Sequence, residues 1–348
     1  MLWLIILALG FWVFGARLKV PSEVRFSMIA TLYAALILAH LVLPDQHPLI
    51  LATGGSVAPL ALLGGFIGLI VIYRLGLRAL RRRAERAQSA GASTPGQSDK
   101  FNATELERYA RHIMLREIGG VGQKKFKQAK ILVIGAGGLG APALQYLAAS
   151  GVGKIGVIDD DLVENSNLQR QVIHQDAAIG TPKVFSAQTM MLAQNPYIDI
   201  RPYHRRFTKD IAAELCGEFD LLLDGSDNFD TRYLANETAV ALGMPLISGA
   251  LSQWEGQVAV FDPKTFGPCY ACVFPSAPAE GLAPSCAEAG VFAPLPGVVG
   301  AMMAAEALKL LSDAGTALRG DMLIYDALYG ETRKLKLTPR TNCAICGG

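Results

Sequence analysis

A glycine-rich turn near the middle of the chain has residue types and spacing that could bind the phosphates of a nucleotide. Its glycines are Gly135, Gly137, Gly138 and Gly140. Because glycine has no side chain, backbone N–H groups can approach a phosphate closely, and a following helix N-terminus adds partial positive charge. Asp159 comes about twenty residues later, where a carboxylate can accept hydrogen bonds from a ribose. NAD, FAD, a methyl donor and ATP all fit this pattern.

Two pairs of cysteines have the spacing of metal ligands. They are Cys269 and Cys272, and Cys343 and Cys346, each pair in the form C-x-x-C. One such pair alone could be redox-active, whereas two pairs about seventy residues apart can supply four thiolates to one tetrahedral Zn²⁺. The pairs flank part of a folded region, so we expect a structural zinc knuckle.

The segments that must position these groups alternate between strand and helix patterns. Apolar runs at residues 131–134 and 155–158 enclose the glycine turn and an Ala- and Leu-rich helix that runs to about residue 150. Further strands are predicted at residues 221–223, 245–247, 257–261 and 323–325, with helices to about residue 242 and near 298–311. This alternation predicts an α/β fold, a Rossmann-like and mostly parallel sheet with helices on both faces.

The first part of the chain predicts a membrane anchor. Apolar runs occupy residues 2–14, 26–43 and 49–73, and three in succession favour transmembrane helices over core helices. The first run is short and could be a signal peptide, but it has no basic segment before it and a poor cleavage site after it. Basic residues follow runs one and three, and the loop between runs two and three has none. The positive-inside rule therefore places both basic segments, and the folded domain that follows them, in the cytoplasm. We expect a multi-pass protein of the inner (cytoplasmic) membrane.

We divide the chain into an anchor at residues 1–86, a flexible linker at 87–101 and a folded domain at 102–348. Asn102 and Glu105 have the spacing of a capping box, which predicts a helix over residues 103–116.

Residues 1–86 hold nine Lys and Arg against three Asp and Glu, which leaves the remainder mildly acidic, with 23 Lys and Arg against 27 Asp and Glu. This charge balance argues against a nucleic-acid-binding surface.

Several further motifs occur in order along the folded domain. They are RYARH at residues 108–112, NSNLQRQ at 165–171, GTPK at 180–183 and SDN at 226–228. Together with the glycine turn and the cysteine pairs, they resemble the ThiF/MoeB/HesA family, the bacterial relatives of ubiquitin-activating enzymes, over residues 105–346. Within that family the chain is most similar to the branch that acts on the small subunit of molybdopterin synthase, although the apolar runs are not part of that pattern.

This resemblance implies an adenylyltransferase that releases pyrophosphate from ATP. The C-terminal Gly-Gly carboxylate of a small β-grasp sulfur-carrier protein would attack the α-phosphorus. Carboxylate and triphosphate repel each other, so such a site must supply cations and align the atoms. The residues at the matching positions are Arg111, Arg170 and Lys183 for the triphosphate, Asn167 as a polar helper, Asp159 for the ribose, and Asp227 for Mg²⁺ and nucleotide.

The resemblance also implies partners. In this family the N-terminal arginine reaches the ATP of the neighbouring protomer, so Arg111 implies a homodimer. Cys286 matches the cysteine with which some relatives hold the acyl group, whereas in the molybdopterin branch the adenylate itself is passed on. No rhodanese-like domain follows Cys346, so we expect a separate sulfur donor.

Other functions compete with this interpretation. The thiamine-pathway sulfur carrier is the alternative substrate for the same chemistry. An NAD-dependent dehydrogenase would share the glycine turn and Asp159, but it has no use for Arg170, Lys183 and Asp227 at these spacings. The non-enzyme alternative is a membrane-tethered nucleotide-binding scaffold with an inactive site, and the intact set of charged residues argues against it.

Overall fold

A computed structural model describes residues 100–265, 267–278 and 289–347, most positions from 22 to 77, and a few earlier ones. The chain divides into two compact units, Met1–Ser93 and Thr94–Gly348.

The first unit contains apolar helices. They are α1 (Ser22–Val42) and α2 (Pro48–Ala52), and a further apolar helical stretch spans Leu60–Ile70. The predicted run at residues 49–73 is not one continuous helix, because α2 ends at Ala52 and Gly55 has a φ of +71°. The predicted run at residues 2–14 lies almost entirely outside the described residues. Neither apolar stretch of the first unit, Ser27–Val42 or Leu60–Ile70, reaches the length of a membrane-spanning helix in the part of the chain that the structure describes.

The second unit is built on one eight-stranded sheet. In chain order the strands are β1 (Lys130–Ile134), β2 (Lys154–Ile158), β3 (Asp199–Tyr203), β4 (Leu221–Asp224), β5 (Leu246–Leu251), β6 (Glu255–Phe261), β7 (Asp321–Asp326) and β8 (Glu331–Lys336). In the sheet their order is β3-β2-β1-β4-β5-β6-β7-β8. Pairing is parallel from β3 to β5 and antiparallel from β5 to β8. The predicted mostly parallel α/β sheet is confirmed. The antiparallel pairing from β5 to β8 is a feature that the sequence analysis does not predict.

Strand β1 lies between β2 and β4, and the order in which the chain adds strands to the sheet reverses at this position. After β1 it moves outward to β2 and β3, and it then returns to the other side for β4 and β5. At such a switch point the loops at the carboxyl ends of adjacent strands diverge and leave a crevice. The glycine turn follows β1 at this crevice.

Helices cover both faces of the sheet, as predicted. They are α3 (Ala103–Ile113), α4 (Gly119–Gln128), α5 (Gly140–Ala149), α6 (Lys183–Gln194), α7 (Lys209–Cys216), α8 (Phe229–Leu242), α9 (Tyr270–Val273) and α10 (Pro294–Ser312). One apolar core contains residues of α5, α6 and α10, and a second contains residues of α7 and α8. Cys216 is fully buried in the second core.

Helix α10 is long and apolar because it is a core helix. It is the single helix of the described residues that could cross a membrane by length and composition, and half of that apolar stretch is buried. It packs on α5 and on strands β5 and β6.

Helix α3 begins as predicted and ends earlier. The Asn102 side chain accepts the Glu105 N–H at 2.9 Å and the Glu105 carboxylate accepts the Asn102 N–H at 3.0 Å, which completes the capping box. The helix ends at Ile113, not at residue 116, since the Leu115 N–H bonds to the His112 carbonyl, three residues back, at 3.0 Å.

Candidate functional site

A cavity of about 900 Å³ opens at the carboxyl ends of β1, β2 and β4. Among its lining residues are seven of the predicted site residues: Gly135, Gly137, Gly138, Asp159, Arg170, Lys183 and Asp227. The fold thus brings to one cavity groups that lie up to about ninety residues apart in the chain.

The glycine turn leaves backbone donors unused. Gly135 has a φ of +91°, and a Cβ on Gly140 would lie 1.8 Å from the Gly135 carbonyl oxygen, so both positions require glycine. The N–H groups of Gly137 and Gly138 donate to no group in the described part of the chain. Gly140 begins α5 behind the turn and does not line the cavity. The turn therefore offers N–H groups to an anion at the start of a helix.

Asp159 is fixed by backbone donors. Its Oδ2 accepts the Ala136 N–H at 2.7 Å, and its Oδ1 accepts the Asp161 N–H at 2.8 Å. Burial raises the pKa of Asp159, and the nearby Lys183 and the two N–H donors act in the opposite direction. Each carboxylate oxygen keeps a free lone pair, so the group can still accept a ribose hydroxyl.

Two of the predicted cations line the cavity. Lys183 is the first residue of α6, its side chain is 7% exposed, and its Nζ lies 2.6 Å from the Asp161 carboxylate. Arg170 is half-buried, and its Nη1 donates to the Ser166 carbonyl at 3.1 Å. Both side chains are held by local partners while they face the space beside the glycine turn.

Asp227 is exposed in the turn after β4, and its carboxylate has no partner among the described side chains. Hydrogen bonds hold the turn around it in place. Asp224 is fully buried and accepts from the Ser226 N–H at 3.0 Å, and Arg232 donates to the Gly249 carbonyl at 2.8 Å and to the Ser226 carbonyl. A fixed turn with an unpaired carboxylate at the cavity suits a ligand for a divalent cation, since Mg²⁺ takes oxygen ligands.

Besides Gly140, two predicted residues do not line the cavity, namely Arg111 and Asn167. Arg111 is exposed on the last turn of α3. Asn167 is buried in a short 3-10 turn, where its Oδ1 accepts the Glu164 N–H at 3.2 Å. Cys286 lies outside the described residues. The predicted contact of Arg111 with a second protomer stays a prediction, as does the role of Asn167.

Sequence reasoning missed several charged residues of the cavity. Arg205 and Arg206 line it from the loop after β3, and Arg232 lines it from α8. Recognition of residues 199–203 as a strand would have placed Arg205 and Arg206 at the same sheet edge as Asp159. Asp224 and Arg232 carry no local signal, because their contact at 3.7 Å exists only after α8 folds back on the sheet.

The four predicted cysteines meet in one cluster, separate from the cavity. Sulfur–sulfur distances are 3.9 Å between Cys269 and Cys272, 3.7 Å between Cys269 and Cys343, and 3.4 Å between Cys272 and Cys346. Tetrahedral Zn²⁺ with bonds of about 2.3 Å requires sulfurs about 3.8 Å apart, so this donor set fits zinc. No other residues are needed to complete four ligands.

Burial and neighbouring hydrogen-bond donors have opposite effects on the cysteine thiols. Burial raises the pKa of Cys269 to about 12. Burial has the same effect on Cys343, but N–H groups of Cys346 and Ile345 and the thiols of Cys272 and Cys269 together lower its pKa to about 6. The Asn236 amide donates to Cys269 Sγ at 3.7 Å and accepts the Tyr270 N–H at 2.9 Å. Such outer contacts orient thiolate ligands.

Comparison with known proteins decides the family. A model described as the ThiF family matches residues 109–345, more than half of the chain. The chain belongs to the ThiF family. It is 49% identical over 252 residues to the sulfur carrier protein adenylyltransferase of Thermus thermophilus, an alignment that covers 71% of this chain and 93% of that relative. It is 47% identical to the SAMP-activating enzyme E1 of Haloferax volcanii, over 71% of this chain and 91% of that enzyme.

A third relative is longer. The adenylyltransferase and sulfurtransferase MOCS3 of Anopheles gambiae is 43% identical over 248 residues, which cover 71% of this chain and 56% of that protein. Among solved structures, Escherichia coli MccB with ATP superposes with a TM-score of 0.60 at 24% identity, covering 69% of this chain and 75% of MccB. That likeness establishes the fold. The predicted family and the adenylyltransferase class of enzyme are confirmed by the family match and by the relatives' names.

Proposed function

We propose that this protein uses ATP to adenylate the C-terminal Gly-Gly carboxylate of a small sulfur-carrier protein, most simply the small subunit of molybdopterin synthase. The observation that carries this proposal is the single cavity that joins the free N–H groups of the glycine turn to Asp159, Arg170, Lys183 and Asp227. Each relative described above is named for adenylation or for E1 activation. The thiamine-pathway carrier is the alternative substrate.

Each residue has a task in the proposed reaction. The incoming carboxylate and the triphosphate repel each other, so Lys183 and Arg170 lower the cost of bringing them together and stabilise the charge that builds at the α-phosphorus. Asp159 holds the ribose, because its position is fixed by two backbone donors. Asp227 would hold Mg²⁺, which neutralises phosphate charge when bound. The unused N–H groups of the glycine turn orient the phosphates.

A dehydrogenase would leave much of this cavity unexplained. Hydride transfer between two substrates needs a fixed nicotinamide, but it does not need several cations and an unpaired carboxylate beside the phosphates. Five cations line the cavity in the described part of the chain, namely Arg170, Lys183, Arg205, Arg206 and Arg232. Five carboxylates line the cavity as well, so its charges balance overall. Several cations beside a carboxylate that can hold a divalent cation favour a reaction at the triphosphate.

Zinc would stabilise the fold and take no part in the reaction. The four cysteines bring α9 and the C-terminal segment together against α8, and none of the four lines the cavity. A site with four protein ligands has no open position for substrate.

We also propose a homodimer. Arg111 is exposed and does not line the cavity of its own chain. A guanidinium in that position is free to contact the triphosphate of a second protomer, as the family resemblance implies. Light scattering of the purified protein should therefore give twice the mass of one chain.

The membrane anchor at residues 1–86 is a further proposal. Leu38 and Leu41 on α1, and Leu62, Phe66 and Leu69 on the later apolar stretch, are between 61% and 77% exposed. Apolar surface of this extent is costly in water and suits lipid. Reporter fusions at Lys100 should place this residue in the cytoplasm, and a reporter signal from the opposite side of the membrane would contradict the proposal.

ATP–pyrophosphate exchange tests the proposed reaction. The full chain in detergent should catalyse exchange when a Gly-Gly carrier is present, and should not do so with the same carrier lacking its last glycine. Asp227→Asn should abolish exchange, whereas Asp230→Asn, on the exposed first turn of α8, should retain it. Exchange that ignores the carrier's tail, or NAD reduction in its place, would contradict this function.

A further inference from the structure

His174 is a buried histidine that contacts the glycine turn and has no role in the reaction described so far. It is 6% exposed. Its Nε2 lies 2.9 Å from the Ala136 carbonyl oxygen, and its Nδ1 lies 2.9 Å from the Ser186 hydroxyl. Ala136 belongs to the glycine turn, and Ser186 belongs to the first turn of α6, which begins at Lys183.

These partners determine where the imidazole carries its proton. A carbonyl oxygen can only accept, so Nε2 must carry the hydrogen that it donates to Ala136. Burial lowers the pKa of His174, so the ring is neutral near pH 7 and its Nδ1 accepts the Ser186 hydroxyl proton. His174 is thus a fixed donor to one side of the glycine turn.

The contact has a consequence for the next peptide group. The Ala136 N–H donates to Asp159, and the Ala136 carbonyl accepts from His174, so both polar groups of this residue are held. In a planar trans peptide the carbonyl and the following N–H point in opposite directions. Because the Ala136 carbonyl points at buried His174, the Gly137 N–H points away from it, and Gly137 lines the cavity.

We propose that His174 is a positioning residue that aims the Gly137 N–H at the nucleotide phosphates and ties the glycine turn to the helix that carries Lys183. This inference rests on the proposed function, because the phosphates are those of the ATP that reacts. The same imidazole sets the relative position of a backbone donor and a cation, so its loss should impair the use of ATP more than it impairs folding.

Substitutions separate positioning from simple stability. His174→Met keeps the volume and removes the donor, and His174→Gln can place an amide N–H near the position of Nε2. We expect His174→Met to lower kcat/KM for ATP in pyrophosphate exchange by about 10- to 100-fold, the scale of a small misplacement of reacting groups. His174→Gln should recover most of this loss.

Asn195→Leu is the matched control. Asn195 is fully buried and donates to the Ala148 carbonyl at 2.6 Å, remote from the cavity. It should lower thermal stability and leave kcat/KM for ATP within about threefold of the wild type. A similar kinetic loss in both variants, or no loss in His174→Met, would overturn the proposal.

Two measurements keep the test decisive. If His174→Met does not fold, ¹⁵N NMR of histidine-labelled wild type, assigned by the signal missing in His174→Gln, still reports the tautomer. A neutral ring protonated at Nε2 supports the proposal, and a cation or an Nδ1-protonated ring overturns it. Wild-type protein that binds ATP but shows no carrier-dependent exchange would instead contradict the proposed reaction alone.

Discussion

Replacement of Lys183 by methionine should impair catalysis far more than stability. Methionine keeps most of the buried stem, so packing changes little. The ion pair that is lost joins Lys183 to Asp161, whose side chain is 65% exposed, and an exposed partner limits its value to about 1 kcal/mol or less. A cation placed against charge that develops in the transition state is worth about 2.7–4 kcal/mol, or 10²–10³ in kcat.

Pyrophosphate exchange and thermal unfolding, measured on the same preparations, check this difference. Lys183→Arg keeps the charge and should lose less activity than Lys183→Met. Asp161→Asn removes the same ion pair from its other side, so it should match Lys183→Met in stability while losing much less activity. Equal kinetic losses in Asp161→Asn and Lys183→Met would show that the pair is structural, and the reasoning about Lys183 would then be wrong.

Four further results are expected. Asp227→Ala should lower exchange by at least about 10²-fold with an unchanged circular dichroism spectrum, because its carboxylate has no structural partner; a folded variant with near-normal exchange would remove Asp227 from the site. Cys272→Ser should weaken zinc binding by more than about 100-fold and lower the melting temperature, since even changes to residues around the ligands cost about 10- to 100-fold; purified wild type without zinc in elemental analysis would contradict the structural zinc knuckle. Burial lowers the pKa of His174 from 6.5, so the stability that its neutral ring contributes is present above pH 6.5 and is lost as the pH falls below that value. Denaturant titrations should show that the free energy of unfolding of His174→Gln falls less steeply with falling pH than that of the wild type. An equally steep fall in both proteins would contradict the buried neutral ring. Cys286→Ala should keep adenylate formation and most thiocarboxylation of the carrier when a sulfur donor is supplied, because the adenylate is already activated; a reducible adduct that depends on Cys286 and forms on the productive path would overturn this expectation.

Strong local patterns made much of the fold predictable. Strands β1, β2 and β4 are short apolar runs that are buried on both faces, and their positions agree with the sequence prediction to within one residue. Strand β3 was missed because Asp199–Tyr203 contains Pro202 and charged residues, which a strand at the edge of a sheet tolerates. Strand β8 was missed for a similar reason, since every one of its residues is exposed.

The sequence by itself determined the glycine turn and the capping box, because each depends on residue types at short spacing. It also determined the cysteine ligand set, because two C-x-x-C pairs can supply the four thiolates of a zinc site. Only the tertiary structure decided which groups face one another across the cavity. His174 and Ala136 are 38 residues apart in the chain. Asp224 ends β4 and Arg232 lies in α8, and their contact forms only when α8 packs on the sheet. Contacts of this kind leave no periodic pattern in the sequence. They arise where the strand order reverses, because loops that are distant in the chain lie together there.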